Sequence, residues 1–157
     1  MMTLQRITPC LWFDNQAEEA ARFYTGIFKN SKVTQILQKP SSVMIVAFEL
    51  DGHSFTALSG GPAFKFNEAV SFQVQCDTQE EIDHYWTLLF AGGDPKAQQC
   101  GWLKDQYGAS SQIVPRTMGE LMTSGDAAKS DRVMAAMLNM KKLDLAALNQ
   151  AFAGQPI

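Results

Sequence analysis

Asp14-Asn15-Gln16-Ala17-Glu18-Glu19-Ala20-Ala21-Arg22-Phe23-Tyr24-Thr25-Gly26-Ile27-Phe28 and Asp77-Thr78-Gln79-Glu80-Glu81-Ile82-Asp83-His84-Tyr85-Trp86-Thr87-Leu88-Leu89-Phe90 read as two versions of one segment. At a constant offset of 62 residues, Glu18 meets Glu80, Glu19 meets Glu81, Phe23 meets Tyr85, Tyr24 meets Trp86, Thr25 meets Thr87 and Phe28 meets Phe90. With Ala17 as a one-residue insertion, Asp14 meets Asp77 and Gln16 meets Gln79. Any two amphipathic helices share a stripe, so the stripe alone weighs little. The caps and the elements on either side carry the comparison, because self-similarity at a fixed spacing is the sequence mark of a duplicated unit.

Outward from these segments the order repeats. Ile7 to Phe13 and Ala69 to Cys76 are apolar, β-forming runs, each closed by Asp-x-Gln before a helix with apolar residues three and four apart. In the first helix, Ala17 to Phe28, that stripe holds Ala20, Phe23, Tyr24, Ile27 and Phe28, with Asp14-Asn15-Gln16 supplying a capping candidate. Ser31 to Leu37, Val43 to Leu50 and His53 to Leu58 read as three strands, the last two joined at Asp51-Gly52, a strong hairpin signal. Tyr107-Gly108 before Ala109 to Val114 is its counterpart in the second half. The expected architecture is α+β: two tandem βαβββ units whose sheets curl around a cavity, with residues 1–60 as the first half and 69–115 as the second. Residues 116–157 form a helical extension, Thr117 to Met122, Ala127 to Met140 and Leu145 to Ala153, the last capped by Asp144. The 157 residues make one domain on this reading.

Composition narrows the function classes. The apolar set is 46% and the charged set 18%, which is ordinary for a folded domain, and the net charge of −3 is spread without a basic stripe. Nucleic acid and anionic membrane surfaces are therefore not expected partners. Met1 to Arg6 lacks the apolar core of a signal peptide and no apolar run approaches a membrane span, so a cytoplasmic protein is expected. Cys10, Cys76 and Cys100 are odd in number and lack CxxC spacing, so free thiols are expected rather than disulfides or structural zinc.

Pro9-Cys10-Leu11-Trp12-Phe13-Asp14, Ala17-Glu18-Glu19-Ala20-Ala21-x-Phe23-Tyr24, Phe64-Lys65-Phe66, Cys76-Asp77-Thr78-Gln79-Glu80-Glu81, Cys100-Gly101-Trp102-Leu103-Lys104-Asp105-x-Tyr107-Gly108 and Lys141-Lys142-Leu143-Asp144 resemble the PhnB-like family of the glyoxalase/bleomycin-resistance, or vicinal oxygen chelate, superfamily. The likeness spans nearly the whole chain. It implies a partial barrel from each half around a small-molecule cavity, and commonly a homodimer. The family is also labelled 3-demethylubiquinone-9 3-methyltransferase. Methyltransferases of the usual kind bind their cofactor on a Gly-rich loop between a strand and a helix. The Gly pairs here, Gly60-Gly61 before Pro62 and Gly92-Gly93 after a helix, read as turns.

In metal-using members of the superfamily, the first and last strand of each half supply one ligand each. The resemblance puts those positions at Thr8, Thr56, Ser71 and Gln112. Two hydroxyls of threonine, one of serine and an amide would hold a divalent cation weakly, so no metal or other cofactor is expected. His53 and His84 read as solvated. Alternation turns Phe72, Val74 and Cys76 toward the helices and Ser71, Gln73 and Gln75 to the other face, and sends Cys10 and Trp12 inward while Leu11 and Phe13 lie under the helix.

Other candidates each have a plainer alternative. Glu49 is a general base if it faces the cavity, and otherwise an exposed hairpin carboxylate beside Asp51. Cys10 and Cys100 could be nucleophiles but have no nearby activating partner in sequence. Trp12, Trp102, Phe64 and Phe66 are either pocket walls or core. Phe23 and Phe72 are expected in the core. The leading expectation is a small-molecule-binding protein or cryptic enzyme whose metal-free pocket holds Cys10, Trp12, Ser71, Gln73, Trp102 and Gln112. Alternatives are a metal-dependent lyase, isomerase or dioxygenase, with Glu49 among its ligands, and the methyltransferase of the family label.

Overall fold

Asp51 and Gly52 both adopt positive φ, 49° and 78°, the backbone that a two-residue turn needs to match the twist of the strands it joins. That turn closes β3 (Met44–Leu50) onto β4 (His53–Ser59) in a computed structural model that describes residues 5–40 and 44–155. The chain divides into two compact units, Met1–Phe66 and Asn67–Ile157.

In the first unit, β1 (Cys10–Phe13) leads through α1 (Ala17–Ile27) to β2 (Lys32–Gln38), β3 and β4, a β-α-β-β-β order. The sheet order is β1-β4-β3-β2, with β1 parallel to β4 and the other pairs antiparallel. Burial follows the period of two: Leu11, Phe13, Val46, Phe48 and Ala57 are buried with Ala17, Ala20, Ala21, Tyr24 and Ile27 of α1. Phe48 anchors this layer, stacked on Tyr24 at 6.5 Å and on Phe55 at 5.5 Å. Phe23, expected in the core, is half-buried at the edge of the helix stripe, its ring edge against Tyr24. The start of α1 also departs from expectation. Gln16 occupies the cap position without a side-chain hydrogen bond, and the Ala17 N–H donates instead to Ser59 Oγ at 3.0 Å. A serine 42 residues away caps the helix because parallel pairing sets Ser59 opposite Phe13, just before the chain turns into α1.

The second unit runs β5 (Ser71–Cys76), α2 (Gln79–Phe90), β6 (Trp102–Lys104) and β7 (Ser110–Pro115), then α3 (Met118–Met122), α4 (Ala127–Leu138) and α5 (Leu145–Ala153). Its sheet order is β5-β7-β6, with β5 parallel and β6 antiparallel to β7. This half holds three strands rather than four. Between α2 and β6 the chain makes a turn through Gly92, at φ 79°, and a short 3-10 helix at Pro95–Ala97. Gly93 lies so close to β6 that a Cβ there would sit 2.1 Å from the Lys104 carbonyl oxygen. Glycine and proline in this segment weaken it as a strand. Thr78 caps α2 by accepting from the Glu81 N–H, while Glu81 reaches back to the Asp77 N–H at 2.8 Å.

The helical extension builds its own cluster from Leu121, Val133, Leu143 and Leu148, against which Val114 and Met137 pack. Gln79 fastens it to α2, donating to the Leu143 carbonyl at 3.1 Å and accepting from the Leu145 N–H at 2.7 Å. Asp144 caps α5 by accepting from the Ala147 N–H, and Gly154 ends it at positive φ. Among the described residues no helix is long and apolar enough to cross a membrane. Cys10, Cys76 and Cys100 are free thiols.

Candidate functional site

Each sheet has one face under its helix and one turned away, and the expected site residues fall on the second kind. In the first unit, β1–β4 register places Cys10 beside Thr56 and Trp12 beside Leu58, and antiparallel register extends that face to Ala47 and Glu49 on β3. Trp12 is half-buried and held on three sides. Its indole N–H donates to the Gly61 carbonyl at 2.9 Å, Phe64 meets it edge-on at 5.0 Å, and a Cβ on Gly60 would strike its ring at 2.5 Å. Gly60-Gly61 thus serves the tryptophan. Phe64 is 66% exposed, and Phe66 packs edge-on against Phe13 at 5.2 Å. Cys10 is exposed. Thr8 is exposed and lies ahead of β1, so that Cys10 rather than Thr8 is the strand neighbour of Thr56. Glu49 shares the face, half-buried, with Lys32 and Ser54 as its strand neighbours.

In the second unit, the face packed on α2 carries Leu103, Ile113 and Cys76, all 1% exposed or less. Burial, with lesser contributions from Glu81 and Asp77, raises the Cys76 thiol to about 11, so it is an inert core group. The opposite face is polar and ordered in rows. Gln73, Gln112 and Trp102 lie side by side across β5, β7 and β6, and Ser71, Ser110 and Lys104 form the next row. One bond runs between the rows: Gln112 Nε2 donates to Ser71 Oγ at 2.8 Å. Gln73 is exposed, and Trp102 and Gln112 are half-buried. Gln75, farther along, accepts from Arg116 at 3.2 Å, and Arg116 pairs with Asp77 at 2.8 Å.

Residues 5–114 match the model of the family described as 3-demethylubiquinone-9 3-methyltransferase. The chain belongs to that family. Among solved structures it is similar to the PhnB protein of Bacillus cereus, with 32% identity over 71% of this chain and 99% of that one, at a TM-score of 0.63. A Pseudomonas aeruginosa protein (19% identity, 71% and 96% coverage, TM-score 0.56) and the fosfomycin resistance protein FosX of Listeria monocytogenes (17%, 76% and 97%, TM-score 0.53) share the fold. These neighbours make the fold that of the glyoxalase/vicinal oxygen chelate superfamily. No curated protein matches the chain.

The superfamily implies a metal, and the donors at its four positions fit one poorly. Thr8, Thr56, Ser71 and Gln112 offer no carboxylate, imidazole or thiolate, and one Ser71 lone pair already accepts the Gln112 N–H. Among the described residues no three His, Cys, Asp or Glu side chains stand together as a metal site. His53 and His84 are exposed. The glycine pairs do not form a cofactor loop either: Gly60 and Gly61 pack and bond to Trp12, and Gly93 packs on Lys104.

Sequence reading passed over Lys104 and Ser110 on the polar face. Lys104 pairs with Glu68, whose carboxyl is held below its usual range chiefly by the lysine's hydrogen bond. The signal was present, since Lys104 stands two residues from Trp102 and Ser110 two from Gln112. Period-two alternation carries both onto the same face.

Proposed function

We propose that the protein binds a small organic molecule on the polar face of β5, β6 and β7 without a metal ion. The observation that carries this reading is the Gln112–Ser71 hydrogen bond: two positions that the superfamily resemblance assigns to metal ligands are here a neutral, hydrogen-bonded pair. An amide and a hydroxyl joined in this way keep the Gln112 carbonyl and the Ser71 proton for a ligand. Trp102, opposite Gln112, supplies apolar area beside them. On the first sheet, Cys10 and Trp12 are proposed to line that sheet's own open face, with Trp12 as a rigid aromatic wall. Glu49, on that same first-sheet face, is a candidate base.

Thermal-shift screening of small metabolites, followed by titration of Gln112→Leu and Trp102→Ala, tests this. Both substitutions should weaken ligand binding more than they lower the melting temperature; a Gln112→Leu protein that binds like the parent overturns the reading. Elemental analysis of purified protein should find no stoichiometric zinc, nickel, iron or manganese. Tight, near-equimolar metal would favour a metal-dependent lyase, isomerase or dioxygenase instead. The reading includes a cytoplasmic homodimer, supported by apolar surface at Met134 and Leu138, 38% and 56% exposed on α4. Light scattering that returns the mass of one chain at micromolar concentration excludes the dimer. The family's description favours a second reading, methyl transfer, and calorimetric binding of S-adenosylmethionine would support it.

A further inference from the structure

Beside Ser71, the row across β5, β7 and β6 holds Ser110 and Lys104. Ser110 is 2% exposed, and its hydroxyl is a buried side-chain oxygen with no hydrogen-bond partner among the described residues. Buried polar groups are nearly always paired, so an unpaired one in a polar row marks a place where an acceptor fits. Its strand neighbours have complementary chemistry. Lys104 lies directly opposite on β6 and Ser71 directly opposite on β5, positions whose Cβ atoms stand roughly 5 Å apart in a sheet. Ser71 accepts from Gln112, which leaves its own hydroxyl proton to donate. One ammonium and two hydroxyl protons therefore share one row.

The lysine already holds the kind of group that would complete it. Lys104 Nζ pairs with a carboxylate, that of Glu68, on the irregular segment just before β5. The lysine side chain is 27% exposed and the glutamate 62%, so the carboxylate is the partner that can swing into solvent. We propose that Lys104, Ser110 and Ser71 form a site for the carboxylate of a small-molecule ligand, whose body lies along Gln112 and Trp102, and that Glu68 is the intramolecular carboxylate this ligand displaces. One ammonium matches a single negative charge. A phosphate dianion would call for a second cation, and the basic side chain near this face, Arg116, is engaged by Asp77 and Gln75. This inference rests on the polar face being the ligand face, as proposed above, and names the ligand's class.

Benzoate, its neutral isostere benzamide, and inorganic phosphate serve as probes, titrated by amide NMR and calorimetry into the full chain and into Lys104→Met, Ser110→Ala, Glu68→Gln and Gln112→Leu. Benzoate should shift the amides of Ser71, Lys104 and Ser110, and bind about tenfold or more tightly than benzamide or phosphate. A hydrogen bond to a charged group is worth roughly a factor of ten or more, so Lys104→Met and Ser110→Ala should each weaken benzoate by about that factor. Glu68→Gln should strengthen it severalfold by removing the competitor. Thermal melts confirm that each variant is folded; Ser110→Ala, which deletes an unpaired hydroxyl, secures the comparison if Lys104→Met proves unstable. Equal benzoate affinity in parent and Lys104→Met or Ser110→Ala, or no gain in Glu68→Gln, overturns the carboxylate site. If benzamide equals benzoate and only Gln112→Leu weakens both, the ligand face stands and the carboxylate site falls. If no probe shifts any residue of the face, both fall.

Discussion

Ser110→Ala should make the protein more stable. The Ser110 hydroxyl is buried without a partner, and taking such a group out of water costs about 1–3 kcal/mol. Alanine keeps the Cβ and removes only the oxygen, so against this gain stands the loss of the oxygen's dispersion contacts, each about 0.1–0.2 kcal/mol. The net expectation is a stabilisation of about 1 kcal/mol. For a chain of 157 residues that corresponds to a rise in melting temperature of roughly 2–4 °C. Thermal melts and urea titrations of parent and variant measure it, with an unchanged denaturant slope showing that the native state is otherwise the same. Ser71→Ala is the control. That serine accepts from Gln112 Nε2, so its removal should cost about 0.5–1.5 kcal/mol. A Ser110→Ala protein that melts 2 °C or more below the parent would mean that the hydroxyl is paired, and an unpaired donor in this row would be refuted.

Other substitutions probe the fold. Phe48→Ala, at 1% exposure and the centre of the aromatic stack, should lose about 3–5 kcal/mol in chemical denaturation, whereas half-buried Phe23→Ala and Phe72→Ala should each lose clearly less. Ser59→Ala removes the acceptor at the start of α1 and should cost about 1–2 kcal/mol by the same assay. Gly93→Ala would drive a Cβ into the Lys104 carbonyl, and a loss of about 1–3 kcal/mol with altered β6 amide shifts is expected. The Cys76 thiol loses its proton near pH 9 when unfolded but only at about 11 when folded, so its contribution to stability is complete below pH 9 and is lost as pH rises to 11. Melts in a Cys76→Ala background should be flatter over that window, by on the order of 1–2 kcal/mol.

Much of the molecule follows from residues close together in the chain. Asp51-Gly52 specifies its hairpin because the turn needs two residues at positive φ, and Asp144 and Gly154 bound α5 by capping chemistry that spans only a few residues. Alternation along β1 and β5 assigns each side chain to a face, so Leu11 and Phe13 under the helix, and Gln73 away from it, were legible before any pairing was known, whereas Gln112 was singled out by the family resemblance. The second half's missing strand was less so. The repeat suggested one, but Gly93 fits only because β6 passes against it, a contact the local sequence does not encode. Pairing between distant segments was likewise out of reach. Ser59 caps a helix 42 residues earlier, Gln112 finds Ser71 across 41, and Lys104 finds Glu68. Each depends on strand register, in which a slip of one residue sends every side chain to the opposite face. Alternation could place Ser110 among polar neighbours. That its hydroxyl is buried without a partner was decided by the packing of strands around it, because burial is a property of the space the whole chain fills rather than of any segment of it.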